Sequence, residues 1–513
     1  MNTAAARWTS RASWVAVLLA AAPLVVTRPL FLQDWPNHIA RIEIVASLLR
    51  GEPFWRSYYT LNGPFVPNMA LDLGLVAPTL LGLPPDIASS LFLVFTYALV
   101  ISGGVALARA FGTYDRTTPL LLVLLFYGGT LFYGLVNYLV GLGAMLWVLA
   151  LWQRARSPRA RCALSCIGTA AVFFAHLITA VLLVMLILSQ EAWAIWRAPH
   201  RGRATLGGNA SGLAALIVLG GLAALSTVGQ GGPTGAIIYT DAPSIPAMLL
   251  AKAIRVVHTL VDGGGLIGAG MVLLGLAAWV AAIILGGRLR LTPAGGILIS
   301  VPALLFLVSP EKLGEAGVLD YRMVIVAMLL AVTTMRIAWR SRPLAMFAWG
   351  LLMFVVLGRT VVVAAALAHR DDTLTAFERA VPVMPRDSML LTAFGTEHIP
   401  WAQYWNPPTI MLAARAARAG VFVPSVFALR SQHTLVLREP YRQFAPWRYV
   451  GTPARWAEVH QRLQPVCADW GRAHAGGVFM LVAYPSAEFD QVVPASEVRA
   501  SGPGFRLVDV CRS

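Results

Sequence analysis

Charge is scarce in this 513-residue chain. Asp, Glu, Lys and Arg make up 12% of it, against about a quarter in a soluble domain. That shortage excludes an ordinary water-soluble globule. Lysine is almost missing, with only Lys252 and Lys312 present. The four cysteines follow no metal-ligand spacing. There is no Gly-rich phosphate loop, no recognisable nucleophile motif and no internal repeat. These absences argue against a pump driven by its own nucleotide site.

What is abundant is apolar. Hydrophobic residues reach 58%, and the mean hydropathy is +0.68. Several runs approach or exceed the roughly 18–20 residues that span a bilayer, so the chain is a polytopic membrane protein. The net charge of +16 would suggest nucleic acid in a soluble protein. Here arginines cluster in short loops at 154–161, 197–203, 288–290 and 336–342, and membrane topology accounts for much of the excess.

With those loops and residues 1–13 on the cytoplasmic side, spans fall near 14–32, 87–110, 118–135, 137–152, 162–178, 179–196, 208–227, 263–286, 295–309, 321–338 and 343–366. The fold class is mainly α, with about 11–13 transmembrane helices. Residues 33–86, 229–262, 310–320 and everything after 367 lie outside. Val66–Leu83 is also apolar enough to cross, which would disturb the parity of crossings. Arg7 and Arg11 before the first run resemble a signal peptide, but the run is long and reads as an uncleaved span.

Two domains follow: 1–366 in the membrane, with an outer first loop at 33–67, and a polar extracytoplasmic α/β domain at 367–513. Ser388–Phe394, Gly477–Tyr484 and Phe505–Cys511 read as short strands, and Thr409–Ala419 as a helix. A Cys467–Cys511 disulfide is compatible with an outer location, and the sequence leaves it open. Cys162 and Cys166 share a helical face as packing residues.

The candidate chemistry gathers at one membrane face. After the first apolar run comes Gln33-Asp34-Trp35-Pro36-Asn37-His38, with Arg41 beyond it. Pro36 suits the first turn of a helix, so Asp34, His38 and Arg41 recur at i, i+4 and i+7 on one face of an amphipathic surface helix. The structural alternative for Asp34 is a plain helix cap. Tyr58, with Trp55 and Tyr59, suits a belt at headgroup level. His176 is an ionisable residue at membrane depth, either functional or helix glue, whereas Asn137 reads mainly as glue. Arg322 and Lys312 could hold phosphate; for Arg322 the alternative is an ion pair with Asp320 or Glu311.

These segments, with Tyr133-Gly134-Leu135-Val136-Asn137-Tyr138 and Leu319-Asp320-Tyr321-Arg322, resemble bacterial members of the GT-C class of membrane glycosyltransferases. That class includes protein O-mannosyltransferases and lipid A aminoarabinose transferases. The resemblance implies a polyprenyl-phosphate-linked sugar as donor, drawn from the membrane lipid. The acceptor is an unidentified glycan, lipid or protein, and the setting is the bacterial inner membrane. It further implies Asp34 as general base, His38 and His176 as orienting or proton-handling groups, Arg41, Lys312 and Arg322 as phosphate partners, and Tyr58 and Asn137 as further substrate-binding candidates. No cofactor is required by the sequence. Trp35 stands where the mannosyltransferases carry a second acid, so metal use stays open. The rival readings are a transporter or flippase of a lipid-linked glycan, and a non-catalytic assembly protein.

Overall fold

In the computed structural model the described residues are 3–26, 32–63, 65–197, 210–227, 237–238, 244–261, 265–313, 319–395, 409–428, 430, 432–444, 448–450 and 456–511. The chain folds into two compact units. The first comprises Met1–Val26, Pro67–Ala70 and Leu93–Ala365, and the second Thr27–Val66, Leu71–Phe92 and Ala366–Ser513.

The first unit is helical. Among the described residues six helices are long and apolar enough to cross a membrane: Trp8–Val26, Pro85–Ala110, Val136–Arg154, Leu177–Arg197, Gly265–Gly286 and Arg342–Val383. Shorter helices at Pro158–Ala175, Ser211–Thr227, Pro293–Val308 and Leu319–Thr334 occupy further apolar runs. Leu266, Ile267, Leu274, Ile284 and Leu285 are each more than 70% exposed. A helix showing that much leucine and isoleucine is built for hydrocarbon, not water. Helices Pro85–Ala110 and Val136–Arg154 touch through glycine: a methyl on Gly103 would lie 2.8 Å from the Gly143 carbonyl oxygen. Such close approach is how helices associate where no hydrophobic force separates them from lipid.

The two basic loops around Arg288 and Arg336 join one another. Gly287–Leu291 and Met335–Trp339 form an antiparallel pair with Arg290 opposite Arg336. They therefore lie on one side, as the charge pattern requires.

Three expectations are corrected. Val66–Leu83 gives only the 11-residue helix Ala70–Leu80, about 16 Å long and too short to cross. The loop at 229–262 contains a 17-residue helix, Ile245–Val261, carrying Lys252 and Arg255. Tyr239, Asp241 and Asp262 of that loop lie outside the described residues. The last long helix does not stop at 366 but runs from Arg342 to Ala380.

The second unit is built on a five-stranded sheet in the order Val498–Gly502, Phe505–Asp509, Val478–Ala483, Met389–Phe394 and Arg448–Val450. The last two strands pair in parallel, as do Met389–Phe394 and Val478–Ala483, while the others are antiparallel. Met389–Phe394 and Val478–Ala483 are almost wholly buried, which explains why they read as continuous apolar runs. The three expected strands form, and Thr409–Ala419 is helical, with the tight winding of a 3-10 helix. Cys467 and Cys511 are bonded to each other.

Helix Trp35–Leu49 belongs to this unit and does not lie on a surface. Twelve of its residues are buried. The isoleucines Ile39, Ile42 and Ile44 wrap around the helix, and only Glu43, Ser47 and Leu49 keep access to water.

Candidate functional site

Asp34 stands immediately before that helix, with Pro36 in the first turn. Its backbone takes the cap position and its carbonyl accepts the His38 amide at 3.2 Å. Its half-buried side chain makes no capping bond. A plain N-cap aspartate accepts an amide of the first turn, a bond that Asp34 does not make.

One turn further, His38 packs edge-on against Phe427 at 5.2 Å between ring centres, and His433 stacks flat on the same ring at 5.5 Å. Arg41 is wholly buried. Its Nε and Nη2 donate to the two oxygens of Asp72 at 3.1 and 3.2 Å, a bidentate pair that satisfies the fork geometry of guanidinium. Burial, reinforced by Arg41 and His38, holds the His433 imidazole well below its ordinary pKa, so the ring is neutral.

Tyr58 is also inside this unit, 1% exposed. Its hydroxyl donates to Asp387, and His474 Nδ1 lies 3.2 Å away. Burial first, and then the Asp387 carboxylate, push the phenol well above its usual pKa. Asp387 is one of the few non-glycine residues with positive φ, +69°. Tyr58 thus organises an interior polar group rather than a headgroup belt.

The second polar constellation lies in the first unit. Helices Pro158–Ala175 and Leu177–Arg197 are interrupted by a single residue, His176, whose backbone is extended at φ −165° and ψ 123°. The break is stitched by 67–70: the Met69 amide donates to the Phe174 carbonyl at 2.6 Å, and the Leu177 amide to Asn68 Oδ1 at 3.2 Å. Asn137 Nδ2 donates to the Asn68 carbonyl at 2.8 Å. Asn68 itself adopts φ +64°, a left-handed conformation that asparagine tolerates.

Arg322 Nη1 lies 3.0 Å from His176 Nε2. A guanidinium carries only donors, so Nε2 accepts and the imidazole proton sits on Nδ1. Nδ1 is buried and has no hydrogen-bond partner among the described residues. Tyr138 frames the pair: its hydroxyl donates to the Arg322 carbonyl, and its ring lies 5.5 Å from the Arg322 guanidinium and 5.2 Å from the His176 ring.

The acids proposed as alternative partners for Arg322 are held elsewhere. Asp320, fully buried, accepts from Lys252 Nζ at 3.2 Å and from Arg255. Arg255 also donates to Glu311 at 2.5 Å, and Lys252 to the carbonyls of Phe306 and Ser309 at 3.0 Å each. Lys312 contributes its backbone to the short strand Lys312–Leu313, paired with Ile237–Ile238, and its side chain is outside the described residues.

The structure therefore brings His176, Arg322 and Asn137 into one neighbourhood of the first unit, and places Asp34, His38 and Arg41 on one helix of the second. Asp72, Lys252 and Arg255 were not singled out by sequence as partners, nor was Arg359. That arginine is buried within the last long helix and donates to the Tyr127 and Val261 carbonyls at 2.9 and 3.3 Å. It caps two helix ends. A positive residue inside an apolar run was the one available signal.

No protein-family model matches the sequence, and no curated protein matches it. Among solved structures the chain is similar to ArnT from Cupriavidus metallidurans, crystallised in the apo state. The TM-score is 0.51 at 13% identity, over 98% of each chain. The GT-C type of polytopic fold implied by the resemblance is the fold of this chain.

Proposed function

We propose that the protein is a membrane glycosyltransferase that moves a sugar from a polyprenyl-phosphate donor to an extracytoplasmic acceptor. Two findings support this reading: a GT-C-type fold over the whole chain, and an acid at the head of the first-loop helix. The observation that carries it is the placement of Asp34, a half-buried carboxylate at the head of the first-loop helix. In this reading Asp34 removes the proton of the acceptor hydroxyl as its oxygen attacks the anomeric carbon. The bond from that carbon to phosphate breaks, and its electron pair leaves with the phosphate.

Arg322 is the phosphate partner, its fork oriented by His176, and the buried Nδ1–H of His176 offers a further donor to an oxygen. Lys312 is proposed as a second cation of the same role. His38 orients the head of the helix. Arg41, committed to Asp72, serves the fold. The Cys467–Cys511 bond supports an oxidising compartment for the second unit, outside the bacterial inner membrane.

The test is Asp34→Asn in the purified full-length protein, assayed with a panel of polyprenyl-phospho-sugars. Loss of the base lowers transfer by about 10²–10⁴-fold while thermal unfolding stays unchanged. Full transfer by that variant would remove the assignment.

A further inference from the structure

Within the second unit lies an open cavity of about 520 Å³, in the range of about 300–1,000 Å³ typical of small-ligand sites. Its polar character is unbalanced. Arg50, Arg386 and Arg418 line it, against Glu43 and Glu52. The three arginines arrive from separate elements: the end of helix Trp35–Leu49, the turn before strand Met389–Phe394, and the tail of Thr409–Ala419.

Each guanidinium is held differently. Arg418 is spoken for, donating to Glu43 at 2.6 Å and to Asp86 at 3.1 Å. Arg50 is tethered by one nitrogen to the Thr79 carbonyl at 2.6 Å and stands 4.0 Å from Glu52. The Arg386 guanidinium rests over the Phe54 ring, 4.9 Å from its centre. A guanidinium stacked on a ring keeps its N–H edge outward, the geometry that grips a phosphate bidentately.

The rim tells what kind of phosphate. Leu83, Pro84 and Pro85 are part of the lining, and Pro85 begins a 26-residue helix apolar enough to cross the membrane. The cavity therefore borders the start of that helix. Beside it Leu49, Leu80 and Leu81 are 53%, 39% and 88% exposed. Leucines bared next to arginines repeat the order of a phospholipid, acyl chain below and phosphate above.

We propose that this cavity binds the phosphate headgroup of an anionic membrane phospholipid, with Arg50 and Arg386 on the phosphate and the leucines against the acyl chains. The site uses none of the residues assigned above to catalysis, so it stands or falls independently of the transferase reading.

The experiment is native mass spectrometry of the full-length protein in detergent. It is titrated with a short-chain phosphatidylglycerol, with diacylglycerol of the same chains, and with inorganic phosphate. Phosphatidylglycerol should bind and diacylglycerol should not, and inorganic phosphate at equal concentration should fail to displace the lipid. R50Q/R386Q should weaken lipid binding about tenfold, the worth of roughly one charge-assisted contact. R438Q, in a separate open cleft of this unit, should leave it unchanged. Equal binding of diacylglycerol, displacement by inorganic phosphate, or undiminished binding by the folded double variant would each overturn the proposal. The first two arms use unmodified protein and decide the matter even if the variant does not fold.

Discussion

Arg322 donates to His176 at the one residue where two helices of the first unit are interrupted. Backbone that leaves the helix at membrane depth is tolerated where it is buried or lines a cavity. Here the Asn68 side chain and the Met69 amide replace the missing helical bonds. The pair makes a graded prediction. His176→Gln retains a carbonyl acceptor for the guanidinium and should cost about 1 kcal/mol or less. His176→Phe leaves a buried cation without that acceptor and should cost about 2–4 kcal/mol. Thermal unfolding of the two variants in one detergent measures the difference; equal midpoints would deny the pair any structural weight.

Arg41 and Asp72 pose a sharper question, because the sequence offered Arg41 as a phosphate partner and the structure gives it an acid. Both side chains are nearly inaccessible, 0% and 5% exposed. Asp72→Ala should destabilise by about 3–5 kcal/mol through the stranded guanidinium, whereas Arg41→Met combined with Asp72→Leu should cost far less. Chemical denaturation followed by tryptophan fluorescence separates the cases. Were Arg41 a phosphate contact, its variants would instead raise the donor KM with stability intact.

Much of the architecture was legible because it depends on sums over many residues. Runs of apolar residues marked most of the spans. Three strands showed as short, largely apolar runs, and paired basic loops announced a shared side. What sequence left hidden depends on single long-range contacts. Asp72 sits in an apolar run whose average conceals one acid, and its partner is 31 residues away. Tyr58 meets Asp387 and His474 more than 300 positions along the chain. The suggestion that Arg322 pairs with Asp320 fails on elementary geometry, since positions two apart on a helix do not face each other. Asp320 turns instead to Lys252 and Arg255 on the helix Ile245–Val261.

The Cys467–Cys511 bond ties the helix Trp456–Ala473 to the end of the strand Phe505–Asp509 region across 44 positions. Chain-entropy arguments give a loop of that size about 4 kcal/mol of stabilisation through the unfolded state. Reduction, or Cys467→Ser with Cys511→Ser, should therefore lower the unfolding midpoint of the second unit. Limited proteolysis should begin in 456–511 in the reduced protein and spare the helices of the first unit. Identical digestion patterns with and without reductant would refute this.

Acid should act on the second unit through His433. Its ring is buried against Phe427, with Arg41 and His38 adding positive potential, and its folded pKa lies well below the ordinary value. The unfolded chain takes up a proton near pH 6.5 that the folded one refuses, so the unfolded state binds more protons and stability must rise with pH. The contribution is complete above about pH 6.5 and is lost on acidification, at about 1.4 kcal/mol for each pH unit below that value until the folded ring is itself protonated. His433→Gln removes the titrating group and should flatten this slope even if it lowers stability overall. The measurement is the unfolding midpoint across about pH 5–8, and the decisive quantity is the difference in slope between the two proteins. A slope unchanged by the substitution would mean that His433 is protonated in the fold, and the aromatic stack on Phe427 would then have to accommodate a charge beside Arg41 that burial opposes.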